Sequence, residues 1–539
     1  MNLSQYWKKS ERTLGSLKFA VVIIMIFSMT LAFGTFMESY HGTEYANKLV
    51  YKSLPFMLLQ GLMFLSILMA TLQRLPLKKN LYGFYTIHSG LLILFIGSLT
   101  TYITGIDGSI TLPPNTPNRF ISLNEDILTI KLEDEGKEVT YELPVVAKTQ
   151  KLGEKYEKIE LVEYLPFAKE SKNWVEKKAG TESSISATYT INNANFGQDF
   201  TLSTDSEADF QSNLTMGLLN VHFMPRALFP CFKLTGNSGH IIWNMMDNSC
   251  FTPESKNIPI KKTKQNNRFL AFKAEDGKII TFLPDLSPLP ANEKLEIDQE
   301  SPYRIFSREL FQGKPHLFLF GAGAAYFDKN ENIWKALEIK KDSPLELPWM
   351  GFKLTLKELE ENKIPKLVPE YVTPLQDNGK IVEGELKAVR VKVLDQEYWV
   401  TSNKPLGLMV EGKKTIFSLA KKSLTLPYEF TLKNFKMDTD PGTNNPASYE
   451  SFVNLFTGKE SKVHHIFMNN PLKYDGFTFY QASYFQNDNG NFGSILSVNY
   501  DPGRPVKYLG SILLIFGAIW HYLIRRKTKA EFFSRSVRT

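Results

Sequence analysis

The stretch "YGFYTIHSGLLILFIGSLTTY", residues 82–102, carries no formal charge and holds a single imidazole, at His88. The hydrocarbon core of a bilayer, about 30 Å thick, takes roughly 20 helical residues at about 1.5 Å each. The stretch therefore reads as a membrane span. Three others read the same way: "FAVVIIMIFSMTLAFGTFM" (19–37), "LPFMLLQGLMFLSILMATLQ" (54–73) and the shorter "YLGSILLIFGAIWHYLI" (508–524), whose Tyr and Trp suit an interface. The first follows a basic start but is longer than a signal-peptide core and lacks a small-residue cleavage site, so it reads as an uncleaved anchor.

Charge orients these spans. Residues 1–18, 73–80 and 525–539 hold 13 Lys and Arg against Glu11 and Glu531, a sum of +11, while the whole chain carries 63 − 56 = +7. The remainder is thus acidic, and the excess is a positive-inside signal placing both termini in the cytoplasm. A nucleic-acid binder would gather its charge on a soluble domain instead.

The layout that follows is a cytoplasmic N-terminus (1–18), transmembrane helix 1 (19–37), an external loop (38–53), helix 2 (54–73), a cytoplasmic loop (74–81) and helix 3 (82–104). A large extracytoplasmic domain (105–507), helix 4 (508–524) and a cytoplasmic tail (525–539) complete it. Short alternating runs fill the large segment, among them "ILTIKL" (127–132), "SATYTI" (186–191), "GFKLTL" (351–356) and "AVRVKVL" (388–394), with Pro, Gly and Asn turns between them. The expected fold class is a multipass α-helical membrane protein with four transmembrane helices and a large, mainly antiparallel β extracytoplasmic domain of one or two lobes. The polar and Pro-rich tract at 255–300 marks a boundary between lobes.

Two cysteines, Cys231 and Cys250, lie in the external segment, where a structural disulfide is the first reading; their spacing is unlike a redox C-x-x-C. C-x-x-C-H, Walker, G-x-S-x-G and H-E-x-x-H motifs are absent from the sequence. Of eight histidines, His41, His222, His240, His316, His464 and His465 fall outside the spans and read as structural. His88 and His521 fall inside, where a polar side chain needs a partner. His88 reads either as an interhelical hydrogen-bonding residue or as an axial haem ligand. His521 is a weaker candidate, close to the membrane border. Tyr82, Tyr85 and Trp520 read as interface anchors, with haem stacking an alternative for Trp520. Gly90 and Gly97, like Gly510 and Gly517, recur at seven residues, a spacing that suits close helix approach or ordinary span composition.

Three stretches carry a resemblance: "GSLKFAVVIIMIFSMTLAFGTFMESYHGTEYANKLVY", "HSGLLILFIGSLTTYITGIDGSITL", and "NNPLKYDGFTFYQASYF" running on through "GSILSVNYDPGRPVKYLGSILLIFGAIWHYL". In these the chain resembles the ResB (CcsB) subunit of the System II cytochrome c biogenesis machinery; residues 110–440 add length and strand content without a motif. The resemblance implies a bacterial cytoplasmic membrane protein with its large domain in the periplasm. It implies a CcsA/ResC-like polytopic partner bearing a tryptophan-rich haem loop, with thiol-reducing biogenesis proteins and apocytochrome c as further partners. Haem b, bound but not covalently attached, would cross the membrane with His88 as one axial ligand and the partner supplying the other. The chain stops at Thr539 and its seven Trp form no cluster, so synthase activity is expected of the complex and not of this chain alone. Two other readings stay open: a b-type electron carrier using His88 and His521, and a haem-free membrane-anchored assembly module.

Overall fold

A computed structural model of the chain describes residues 3–133, 136–177, 184–233, 240–244, 246–252, 260–262, 268–273, 279–282, 303–307, 313–377, 379–442, 446–487 and 490–536. Four helices are long and apolar enough to cross a membrane. After an amphipathic α1 (Leu3–Leu14), they are α2 (Leu17–His41), α3 (Leu54–Leu72), α4 (Tyr82–Thr104) and α5 (Arg504–Ser536). Serine caps start two of them: Ser16 Oγ accepts from Phe19 N (3.3 Å) and Ser53 Oγ from Phe56 N (3.4 Å), each satisfying an N–H left over in the first turn. Gly42 ends α2 at φ +82°, a backbone setting that glycine adopts without strain.

The described chain divides into two compact units, Met1–Lys169 with Pro369–Thr539, and Glu170–Val368. The boundary expected within 255–300 falls mostly outside the described residues; the division lies at 169/170 and 368/369.

In the first unit α4 and α5 are pressed together along glycines. A Cβ built on Gly90 would stand 2.7 Å from the Gly510 carbonyl oxygen and 2.8 Å from Leu514 N, and one on Gly510 2.7 Å from the Gly90 oxygen. Gly83 meets the His521 backbone, Gly97 the Lys507 backbone and Gly517 that of Ile87. The expected close approach is therefore real, and the two heptad series extend by one glycine each, to Gly83 and Gly503. Both helices are joined to strands by very short links, Gly105 after α4 and the turn 501–503 before α5. Ile106–Leu112 pairs antiparallel with Phe492–Tyr500 in an unbroken register from Ile106 opposite Tyr500 to Leu112 opposite Ser494.

That ladder is the middle of a ten-stranded sheet whose path also includes Pro117–Leu132, Lys413–Thr439, Pro446–Phe456 and Phe477–Gln486. Every described ladder in it is antiparallel. One face buries Ile110, Phe430, Val453, Phe479 and Leu496. A second core lies between this sheet and the strands at Ile159–Glu176, Leu386–Val393 and Gln396–Thr401, around Leu128, Ile130, Tyr164, Val389 and Phe417. Period-two burial along 126–132 is what the alternation of that stretch requires.

The second unit holds a five-stranded and a four-stranded sheet. A parallel ladder joins Leu219–Phe223 to His316–Leu319 and an isolated parallel bridge joins Lys341 to Leu356; the remaining described ladders are antiparallel. Cys231 and Cys250 are joined in a disulfide, Cα to Cα 5.6 Å, beside buried Leu228, Phe232 and Phe318.

Two outcomes test these packing claims. Gly90→Ala or Gly510→Ala forces a methyl into backbone and should cost about 1–3 kcal/mol, read as a lowered thermal midpoint in detergent. Gly61→Ala, where a Cβ meets nothing within 4 Å, should be neutral or stabilising. Replacing both cysteines by serine should cost the second unit about 2–4 kcal/mol, seen as earlier denaturant unfolding of a Trp243 fluorescence signal.

Candidate functional site

His88 stands on the second turn of α4, off the glycine seam. Its Nδ1 lies 3.0 Å from the Phe84 carbonyl oxygen. A carbonyl only accepts, so Nδ1 carries the proton and Nε2 keeps its lone pair. The Phe84 side chain lies against the same imidazole, ring centroids 3.8 Å apart and planes tilted by 33°. One residue, a helical turn earlier, thus fixes both the tautomer and the attitude of the ring. The Arg74 guanidinium covers Phe84, with Cζ 4.6 Å from the ring centroid, and the Arg74 carbonyl accepts from Tyr85 Oη at 2.6 Å. Tyr85 is buried, so the anchoring role expected of it at an interface is replaced by pinning the loop that precedes α4.

The other span candidates fall elsewhere. His521 lies in the helix seam opposite Gly83, with Nδ1 buried and without a hydrogen-bond partner. No hydrogen bond or ring contact joins it to His88 among the described residues. Trp520 is 37% exposed and packs edge-on against Tyr82 (5.9 Å) and Phe516 (5.5 Å). Neutral imidazole with its second nitrogen hydrogen-bonded to a carbonyl is the donor form that haem iron takes. His88 fits that group; His521, by its closed Nδ1 and its place against Gly83, fits it less well.

A second constellation escaped the sequence reading. The loop between α2 and α3 is helical, with a short turn at Thr43–Ala46 and a π turn at Asn47–Tyr51. It buries Lys48 and Tyr45. Lys48 Nζ lies 2.9 Å from Glu44 and 3.2 Å from Asp126; Lys387 bonds the same two carboxylates, 3.0 Å from Asp126. Tyr164 Oη donates to Asp126 at 2.7 Å. Burial alone would raise the Glu44 pKa, but Lys387 and Lys48 outweigh it and hold the carboxyl at about 2. Two charges of each sign compensate one another, so the cluster is a clasp between loop and sheet rather than a free binding site.

In the second unit, His222 and His316 sit on the paired parallel strands with Nε2 to Nδ1 at 2.9 Å and rings coplanar within 4°. His222 Nδ1 meets Asn213 Oδ1 at 2.9 Å. Burial first, then His316, pushes the His222 pKa down to about 4, and burial followed by Lys314 lowers that of His316. His465 bonds Glu450 at 2.8 Å and lies flat on Phe452. His41 Nδ1 donates to the Pro374 carbonyl at 2.7 Å. Those roles are structural. The side chain of His240 lies outside the described residues. Among the described residues no group of three or more His, Cys, Asp or Glu is placed to hold a metal ion.

The fold and this site define a membrane protein whose apolar helices carry an antiparallel β domain, with one oriented imidazole inside a span. Residues 408–495 match the model of the ResB-like family. Over 269 residues the chain is 30% identical to Protein NrfI of Wolinella succinogenes, an alignment covering 44% of this chain and 30% of that relative. The chain thus spans less than a third of the length of the curated relative it matches. The matched region begins at 408, inside the stretch where the sequence shows no motif, and includes the 469–485 stretch that carries the resemblance.

Removing one member of the clasp strands the rest: Asp126→Ala should cost about 3–5 kcal/mol, measured by thermal unfolding, whereas exposed Lys158→Ala should change little. His222 is neutral when folded and titrates near 6.5 when unfolded, so the unfolded chain binds more protons below that pH. Its stabilising contribution is complete above pH about 6.5 and is lost as pH falls towards about 4. His222→Asn should flatten that part of a stability–pH profile.

Proposed function

We propose that this chain acts in cytochrome c biogenesis as a ResB/CcsB-type subunit, taking haem as cargo at the His88 face of its third span and passing it outward with a CcsA/ResC-like polytopic partner. The observation that carries the reading is the fixed His88 ring: proton on Nδ1, held by the Phe84 carbonyl, and a lone pair left on Nε2. The ResB-like region at 408–495 and the likeness to NrfI support the same assignment.

In this reading the Lys- and Arg-rich ends lie in the cytoplasm, the β domain faces the periplasm, and His88 sits in the cytoplasmic half of the membrane. His88 donates Nε2 to the iron; its hydrogen-bonded Nδ1 makes the imidazole a stronger donor. The second axial position belongs to the partner, so haem binding depends on assembly. His521 serves the α4–α5 contact. Haem supplies the vinyl groups to which apocytochrome c thiols are joined outside, and that attachment belongs to the complex. Thiol-reducing proteins would keep the apocytochrome cysteines available.

The test is the visible absorption of the chain purified with its polytopic partner, wild type against His88→Gly. Haem content should fall at least tenfold in the variant and return with added imidazole. A variant that keeps its haem and matures cytochrome normally would make the chain a haem-free assembly module.

A further inference from the structure

Arg74 looks from sequence like one more positive-inside charge. Its placement is more particular than that. A cation at the end of a span ordinarily extends its stem away from the hydrocarbon. Here the side chain folds back: Nη1 donates to the Ala70 carbonyl of the last turn of α3 at 2.6 Å, and the guanidinium covers Phe84. The backbone is held as well, its N–H on the Thr71 carbonyl (3.1 Å) and its carbonyl under Tyr85 Oη (2.6 Å). Arg74 and His88 therefore both lie against the Phe84 ring, the guanidinium Cζ 4.6 Å and the tilted imidazole 3.8 Å from its centroid.

Among the described residues no carboxylate is paired with Arg74, and Ala70 takes one of its five N–H donors. An oriented cation with unspent donors, sharing the Phe84 ring with an oriented imidazole, calls for an anionic group on the ligand that the imidazole binds. A macrocycle centred on His88 carries its two propionates on the rim, on that length scale. A carboxylate also matches the planar fork of guanidinium better than the point charge of a lysine.

We propose that Arg74 is the anion anchor of the His88 site, binding a rim carboxylate of the macrocycle whose iron His88 takes. The inference rests on the haem reading above. It makes Arg74 a positioning residue: the carboxylate at Arg74 fixes which edge of the ring faces the cytoplasm, and so which edge, bearing the vinyl groups, leads outward.

The experiment is equilibrium binding of haem and of haem dimethyl ester to the full chain purified with its polytopic partner, followed by visible absorption. Wild type, Arg74→Gln, Arg74→Lys and His88→Gly are compared, with thermal midpoints as a check on folding. Wild type should prefer haem to the ester by about tenfold. Arg74→Gln should lose that preference through weaker haem binding alone, Arg74→Lys should keep part of it, and His88→Gly should weaken both ligands and change the band positions. Equal preference in wild type and Arg74→Gln overturns the anchor while leaving His88 as ligand. Loss of both ligands in Arg74→Gln assigns Arg74 to holding Phe84 in place and also overturns it. Binding of neither ligand by wild type overturns the anchor and the haem reading together.

Discussion

The close approach of α4 and α5 is the constraint on which the first unit depends. Lipid offers no hydrophobic drive between helices, so two spans associate by packing alone, and here backbone meets backbone at glycines of heptad spacing. The seam does not stop at the membrane border. It passes, across Gly105 on one side and the turn 501–503 on the other, into the ladder between Ile106–Leu112 and Phe492–Tyr500, where hydrogen bonds take over from van der Waals contact. Residue 106 and residue 500 are thereby neighbours, and the strands between them can be built outward from a fixed pair.

The second fastening is electrostatic. Glu44 and Lys48, on the loop joining α2 to α3, close on Asp126 and Lys387 of the β strands. Burying four charges costs desolvation that their mutual attraction roughly offsets, so the cluster contributes more to where the loop sits than to net stability. Phe167 adds to it by lying under both ammonium groups, at 5.2 and 5.7 Å. The helical hairpin α2–α3 is held to the sheet by this means, while Ser66 Oγ, donating to the Leu14 carbonyl at 2.9 Å, ties α1 to α3.

Against that frame the His88 site is economical. Phe84 orients the ring through its carbonyl and its side chain, and Arg74 covers Phe84 from the preceding loop. The region matching the ResB-like family, 408–495, supplies the long hairpins of the ten-stranded sheet. It shares a compact unit with the span that bears His88.

The sequence by itself determined the four spans, the antiparallel β domain and His88 as the residue to examine. These follow from local rules: hydrocarbon demands about 20 apolar residues in a row, the pleat demands alternation, and an imidazole inside a span stands out against its neighbours. Glycine spacing allowed a close approach beside the reading of ordinary span composition, and did not say that Gly90 would meet Gly510. The tertiary structure alone decided the partners. Lys48 finds Asp126 across 78 residues, Lys387 finds it across 261, and His222 finds His316 across 94. In the sequence each looks like an ordinary solvated or structural residue, because the backbone period says which face a side chain takes and nothing about what lies opposite. Arg74 is the same case: its charge marked the side of the membrane, and only the packing of α3 against α4 turned it towards Phe84 and His88.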